Sequence, residues 1–191
     1  MSIKYLGFNT PTKPVVSDFA WINQGTATAV DDPEGIYLNA PAAAAHDLKI
    51  LKKAAPSTPY TITALFLRNC LSSGNASVGL CFRQSSDGKI ATFANLTWTT
   101  LRLSVWKYTD ATTFSASYLD ITAWNEDLMF FRIEDDGTDR KCYVSIDGIN
   151  FIQIHSIGRT DFLTADEVGF FACSLSATYP AGIKLLHWAE A

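Results

Sequence analysis

The strongest β-hairpin signal in the chain is the stretch ASVGLCFRQSSDGKIATFANLTW at residues 76–98. Two runs rich in aliphatic and aromatic residues, 76–84 and 89–98, flank the sequence Ser85-Ser86-Asp87-Gly88. An Asp-Gly pair between such runs is typical of a tight turn, because both residues tolerate the backbone conformations that the turn needs. The stretch therefore predicts two adjacent antiparallel strands.

The same alternation of short strands and turn residues continues on both sides of this hairpin. No convincing amphipathic helix interrupts it. A dozen or so short strands separated by Asp, Gly and Pro are typical of a sandwich or barrel, and we predict an all-β, two-sheet antiparallel jelly-roll sandwich. Besides the hairpin, strands are predicted over 15–22, 26–30, 35–39, 48–53, 60–69, 100–109, 130–134, 140–146, 151–156, 168–174 and 183–189.

Composition limits the classes of function. The 191 residues are 48% hydrophobic and 18% charged, which suits one folded domain over 1–191. The net charge of -4 and the absence of any basic cluster larger than Lys52-Lys53 argue against a nucleic-acid partner. The start of the chain lacks the apolar run of a signal peptide, and no stretch is apolar enough to insert into a membrane. We therefore expect synthesis in the cytoplasm.

Neither the cysteines nor the acidic turns predict a cofactor or metal site. The four cysteines form no C-x-x-C pair, and Cys81 and the two later ones fall in predicted strands as small buried hydrophobes. A Cys70–Cys81 bridge across a hairpin stays open, although reduced thiols are expected in the cytoplasm. Turn formation accounts for the acidic loop residues, none of which forms a calcium loop: Asp31, Asp32, Asp135, Asp136 and Asp139.

The last sixty residues carry a family resemblance. Residues 131–133 read FRI, residues 143–151 read YVSIDGINF, Val168-Gly169-Phe170 follows, and residues 185–188 read LLHW. With the earlier Val78-Gly79 and Asp87-Gly88, this order resembles the concanavalin A-like lectin/glucanase superfamily over residues 60–188. The resemblance implies a concanavalin A-like jelly roll and says little about the ligand.

The stretch Arg159-Thr160-Asp161-Phe162-Leu163 also resembles small bacteriophage virion proteins of this fold. That resemblance implies a virion surface accessory protein, either a head decoration or a tail component. Its partners would be other virion subunits and further copies of itself, and its location would be the virion. The alternative hypothesis is a glycan-binding, lectin-like module for host receptor sugars.

Glycoside hydrolysis is the third hypothesis, because glucanases of this superfamily carry an E-x-D-x-x-E set of carboxylates on one strand. This chain has Glu134-Asp135-Asp136-Gly137-Thr138-Asp139, in which Asp replaces the last Glu. Asp136-Gly137 is typical of a hairpin tip, which would splay the acids into solvent. The three histidines, His46, His155 and His187, suggest no triad. We therefore predict that the protein is not an enzyme and has no catalytic residues.

The candidate contact site lies on the strand predicted over 100–109. If Leu101, Leu103 and Val105 face the core, alternation places the intervening side chains on the outer face of the sheet. A Trp beside hydrogen-bonding groups can stack on a sugar ring, and Trp, Tyr and Arg also anchor protein interfaces. We expect Trp21, Trp98, Trp124 and Trp188 to pack in the core or at edges. The predicted carbohydrate or protein contact residues are Arg102, Ser104, Trp106 and Tyr108.

Overall fold

The computed structural model describes residues 12–71, 75–98, 100–122 and 127–191. These residues form fourteen β-strands and one short 3-10 helix, Val16–Asp18. The strands are β1 (Ala20–Ile22), β2 (Thr28–Asp32), β3 (Gly35–Ala40), β4 (Lys49–Ala54), β5 (Tyr60–Cys70), β6 (Ala76–Arg83), β7 (Ile90–Thr97), β8 (Leu101–Asp110), β9 (Thr113–Thr122), β10 (Leu128–Asp135), β11 (Asp139–Ser145), β12 (Ile152–Gly158), β13 (Glu167–Ser174) and β14 (Ala181–Glu190).

The strands form two seven-stranded sheets. Sheet A has the order β1-β4-β13-β6-β7-β8-β9, and sheet B has the order β12-β11-β10-β5-β14-β3-β2. Every neighbouring pair is antiparallel. The predicted all-β, two-sheet antiparallel sandwich is therefore confirmed.

The main core lies between the two sheets. Alternate residues of β5, beginning with Tyr60 and ending with Phe66, belong to it, as do Leu103 and Val105 of β8. Phe93 of sheet A stacks on Phe131 of sheet B, with ring centroids 4.1 Å apart and planes 15° apart. Period-two alternation of apolar residues thus puts one face of each sheet into a shared interior, as the sequence predicted.

The predicted hairpin forms in the expected place. β6 and β7 pair over their full lengths, from Ala76 opposite Thr97 to Arg83 opposite Ile90. Gly88 in the connecting turn has a φ of 80°, a left-handed conformation that glycine adopts without steric cost. The turn residue predicted from the Asp-Gly signal is therefore the one that reverses the chain.

Two local predictions are wrong. The segment predicted as a strand over 15–22 is a 3-10 helix followed by the short β1. Strand β9 was not predicted at all, because most of its residues are small or polar and stay exposed or half-buried. As the last strand of sheet A, β9 pairs only with β8 and needs no apolar pattern on both faces.

The four cysteines are free. Cys70 ends β5 in sheet B, whereas Cys81 lies in β6 of sheet A, so the bridge between them is not formed. Cys81, Cys142 and Cys173 are buried as predicted, and burial raises the pKa of each of these thiols to about 12. Their side chains therefore act as small apolar groups.

A second apolar layer covers part of the outer face of sheet A. The segment 41–48, between β3 and β4, crosses this face and is fixed there by its backbone. The Leu48 N–H donates to the Ala111 carbonyl at 2.8 Å, and the Asp47 N–H contacts the Cys173 Sγ at 3.4 Å. Leu48 packs in a cluster with Tyr108 and other outward residues of the sheet. This segment therefore buries side chains that a single layer of sheet would leave in water.

Candidate functional site

A groove of about 400 Å³ lies on the outer face of sheet A, beside the segment 41–48. Residues of β7, β8 and β9 contribute to its lining. Its lining combines aromatic rings with one ion pair, a mixture typical of small-molecule binding sites. The lining residues are His46, Leu96, Trp98, Arg102, Trp106, Phe114 and Asp120.

Two aromatic side chains of the groove are open to solvent. Trp98, immediately after β7, is 46% exposed, and Phe114, at the start of β9, is 38% exposed. Trp106 is only 7% exposed and packs edge-on against Phe114, with centroids 5.3 Å apart. Trp98 and Phe114 can therefore contact a ligand with a ring face or edge, whereas Trp106 is largely covered and packs against Phe114.

His46 supplies a fourth ring to the groove. Its imidazole stacks on Phe114, with centroids 5.0 Å apart and planes 14° apart, and meets Trp106 and Tyr108 edge-on. His46 Nδ1 lies 3.1 Å from the Tyr108 hydroxyl oxygen. Partial burial lowers the pKa of His46 below its usual range, so the ring is neutral at pH 7.

One ion pair stands beside the aromatic rings. Arg102 Nη1 of β8 lies 3.1 Å from Asp120 Oδ1 of β9, and both side chains are about one-third exposed. Arg102 Nε is also 3.5 Å from the Thr100 hydroxyl oxygen. The pair offers hydrogen-bond donors and acceptors at the groove while its two charges offset each other.

The structure brings two of the four predicted contact residues to the groove. Arg102 and Trp106 line it, as the alternation along β8 predicted. Ser104 and Tyr108 share the same face but are fully buried, so neither side chain is open to a ligand in the groove. Tyr108 lies against His46 of the segment 41–48, and Ser104 sits between the larger side chains of Arg102 and Trp106.

Besides Leu96, four groove residues were missed or misplaced. Trp98 was expected to pack in the core or at an edge but is half-exposed, whereas Trp188 is buried as expected. Trp124 lies outside the described residues. Phe114 and Asp120 belong to the unpredicted strand β9, and His46 comes from a segment remote in sequence. Trp98 had a usable signal, since it follows Thr97 at the end of the predicted hairpin.

The acidic stretch 134–139 covers the end of β10, the predicted turn at residues 136–138 and the start of β11, on sheet B. Asp136 accepts hydrogen bonds from the backbone N–H groups of Thr138 and Asp139 and pairs with Lys141. These contacts hold the pKa of Asp136 well below its usual range. Asp135 departs from the expectation of solvent exposure, because it is fully buried and ion-paired with Arg159.

Within the described ranges, no group of three or more His, Cys, Asp or Glu side chains is arranged to hold a metal ion. The part of the chain that the structure describes also contains no helix with the length and apolar character needed to cross a membrane.

Comparisons with known proteins show the fold alone. No protein-family model and no curated protein sequence matches the chain. Among solved structures, a functionally unknown protein from Saccharomyces cerevisiae matches with a TM-score of 0.69 and 14% identity, over 93% of this chain and 97% of that chain.

Carbohydrate-binding proteins are among the other structural matches. The carbohydrate-binding module CBM66 from Bacillus subtilis has a TM-score of 0.58 and 13% identity, over 94% of this chain and 99% of that chain. A lectin from Bauhinia forficata, solved in complex with GalNAc, has a TM-score of 0.56 and 10% identity, over 92% and 93%. GH43 proteins also match, but this chain spans only 37% of the one from Bacillus licheniformis. The sandwich is thus a jelly roll of the concanavalin A-like lectin/glucanase fold.

Proposed function

We propose that this protein is a non-catalytic glycan-binding module that holds a short, neutral sugar in the groove on sheet A. The observation that carries the proposal is the pairing of exposed aromatic rings with a charge-compensated ion pair in one groove. The structural likeness to a carbohydrate-binding module and to a lectin supports the same function, which the sequence analysis gave as its alternative hypothesis.

The chemistry of the lining suits a sugar. A pyranose ring presents an apolar C–H face and a polar rim, so it needs an aromatic surface and hydrogen-bonding groups side by side. Trp98 and Phe114 would supply the aromatic surface, and Arg102 and Asp120 would bond the hydroxyl groups. Since Asp120 compensates the charge of Arg102, the groove favours a neutral sugar over an anionic one.

A binding role also suits the carboxylates better than glycoside hydrolysis does. Hydrolysis of a glycosidic bond ordinarily needs two carboxyl groups on opposite sides of the bond. Asp120 is the sole carboxylate among the described residues that line the groove, and it is paired with Arg102. The acids of 134–139 lie on sheet B and are engaged in turn contacts and ion pairs.

A glycan array followed by calorimetric titration of the best neutral ligand tests the proposal. We expect the substitution Trp98→Ala to weaken binding about fivefold, because it removes an aromatic contact worth about 1 kcal/mol. Ile152→Ala is the matched control, since Ile152 is an apolar residue of similar exposure on sheet B.

The control variant should bind as the unmodified protein does. Failure of every neutral glycan on the array to bind would overturn the proposal. Equal affinity of Trp98→Ala and the unmodified protein would show that the glycan binds elsewhere.

The virion accessory role stays a prediction from the sequence, as do self-association and location in a virion. Neither the sandwich fold nor its structural relatives support any of these three predictions. The groove supports the glycan-binding alternative.

A further inference from the structure

The Tyr108 hydroxyl is buried beneath the groove with a single hydrogen-bond partner among the described residues. Tyr108 is fully buried in β8, and its hydroxyl oxygen lies 3.1 Å from Nδ1 of His46. Burial raises the pKa of Tyr108 well above its usual range, so the phenol keeps its proton. This proton needs an acceptor, because an unmade hydrogen bond in the interior costs about 1–3 kcal/mol.

The direction of this hydrogen bond fixes the protonation of His46. If Tyr108 donates to Nδ1, the neutral imidazole must carry its own proton on Nε2. In the opposite arrangement Nδ1–H donates to the tyrosine oxygen, and the buried phenolic proton has no acceptor within the described structure. The first arrangement satisfies both groups and therefore favours the Nε2–H tautomer of His46.

The Nε2 atom of His46 is free to meet a ligand. His46 lines the groove. Among the described residues, His46 Nε2 is not one of the buried polar atoms that lack a hydrogen-bond partner, so it either has a protein partner or reaches the surface. No protein hydrogen bond to it is found in the described ranges. The ring itself is held by stacking on Phe114 and by edge contacts with Trp106 and Tyr108. Packing thus fixes the ring, and Tyr108 fixes the position of its proton.

We propose that Tyr108 is a positioning residue that orients His46 so that its Nε2–H donates a hydrogen bond to an oxygen atom of the ligand. The inference rests on the proposed function and adds a donor that the sequence did not identify. It also assigns a role to Tyr108, which acts on the ligand through His46 instead of touching it.

Nitrogen-15 NMR of the imidazole groups tests the tautomer without any ligand. At pH 7.5 we expect the His46 Nδ1 resonance at the frequency of an unprotonated nitrogen and Nε2 at that of a protonated one. Tyr108→Phe keeps the ring but removes the hydroxyl, and should move both resonances toward averaged values. Tyr37→Phe is the control, because the Tyr37 hydroxyl bonds Asn69 on sheet B. A protonated Nδ1 in the unmodified protein would overturn the inference.

A second experiment tests the contact with the ligand. The double variant His46→Phe, Tyr108→Phe retains aromatic packing, removes the N–H donor and also removes the Tyr108 hydroxyl, which would otherwise lose its partner. We expect it to bind the best glycan from the array about tenfold more weakly, as the loss of one hydrogen bond predicts. Among singly deoxygenated analogues of that glycan, one should bind the unmodified protein weakly and bind the double variant as well as the parent sugar does.

The outcomes separate this inference from the proposed function. Unchanged affinity of the double variant, together with loss in Trp98→Ala, would overturn the His46 contact while the glycan site stands. Absence of any glycan binding would overturn the proposed function and the ligand contact together, and would leave only the tautomer result.

Discussion

The Asp135 carboxylate shows how one buried charge is compensated in this protein. It is fully buried at the end of β10, where Arg159 Nε lies 2.9 Å from each of its oxygens. The Gly137 N–H also donates to Oδ1 at 3.0 Å. A carboxylate taken out of water is tolerated only with such partners. Its sequence context, a run of acids at a turn, indicated solvent exposure. The local sequence could not reveal the burial, because the compensating Arg159 is 24 residues away.

The substitution Asp135→Ala should lower the free energy of unfolding by about 2–3 kcal/mol, since it unpairs Arg159 and removes the acceptor of the Gly137 N–H. The cost stays moderate because Arg159 is about one-third exposed and can be solvated again. Urea denaturation followed by far-ultraviolet circular dichroism measures the change. Asp18→Ala is the control on an exposed 3-10 helix. Equal stability of the two variants would contradict this account.

At the scale of the element, the sequence predicts strands better than it predicts what covers them. Alternation along β8 correctly divides its side chains between the two faces of sheet A. It could not show that the segment 41–48 folds over the end of that face and buries Tyr108. The mostly polar β9 was not predicted for a related reason. Its hydrogen bonds to β8, and not its own sequence pattern, make it a strand. Local pattern therefore predicts the part of the site on β8, whereas long-range contacts bring in the segment 41–48 and β9.

Close packing between strands predicts a sharp difference between two glycines. A Cβ at Gly79 of β6 would lie 2.1 Å from the Phe93 carbonyl oxygen of β7, whereas a Cβ at Gly158 of β12 would meet no atom within 4 Å. Gly79→Ala should destabilise the protein by about 1–3 kcal/mol because the backbone must shift. Gly158→Ala should change stability by less than about 0.5 kcal/mol. Equal urea midpoints in the two variants would contradict this account, because they would mean that β6 and β7 can move apart without loss of stability.

For the molecule as a whole, one core joins the two sheets. The cluster between them draws on sheet A and sheet B alike, and the stacked rings of Phe93 and Phe131 lie on opposite sides of the interface. Neither sheet buries its apolar face without the other. We therefore expect both sheets to unfold together.

The substitution Phe131→Ala should cost about 3–5 kcal/mol, the range for removing a large buried ring. Tryptophan fluorescence and far-ultraviolet circular dichroism should report the same lowered urea midpoint, because a shared core unfolds in one transition. Ile152→Ala, at an exposed site, should stay within about 0.5 kcal/mol of the unmodified protein. Separate midpoints for the two probes would mean that the sheets unfold independently.

The last strand of sheet A has one more consequence for the molecule. The pairing of β9 with β8 shifts register between Val105 and Trp106, between Lys107 and Tyr108, and between Tyr108 and Asp110. Such bulges twist a strand and disturb the regular spacing of its unpaired N–H and C=O groups. A strand from another molecule therefore cannot form a regular hydrogen-bonded ladder along β9. This irregularity discourages edge-to-edge aggregation at the strand that carries Phe114 and Asp120.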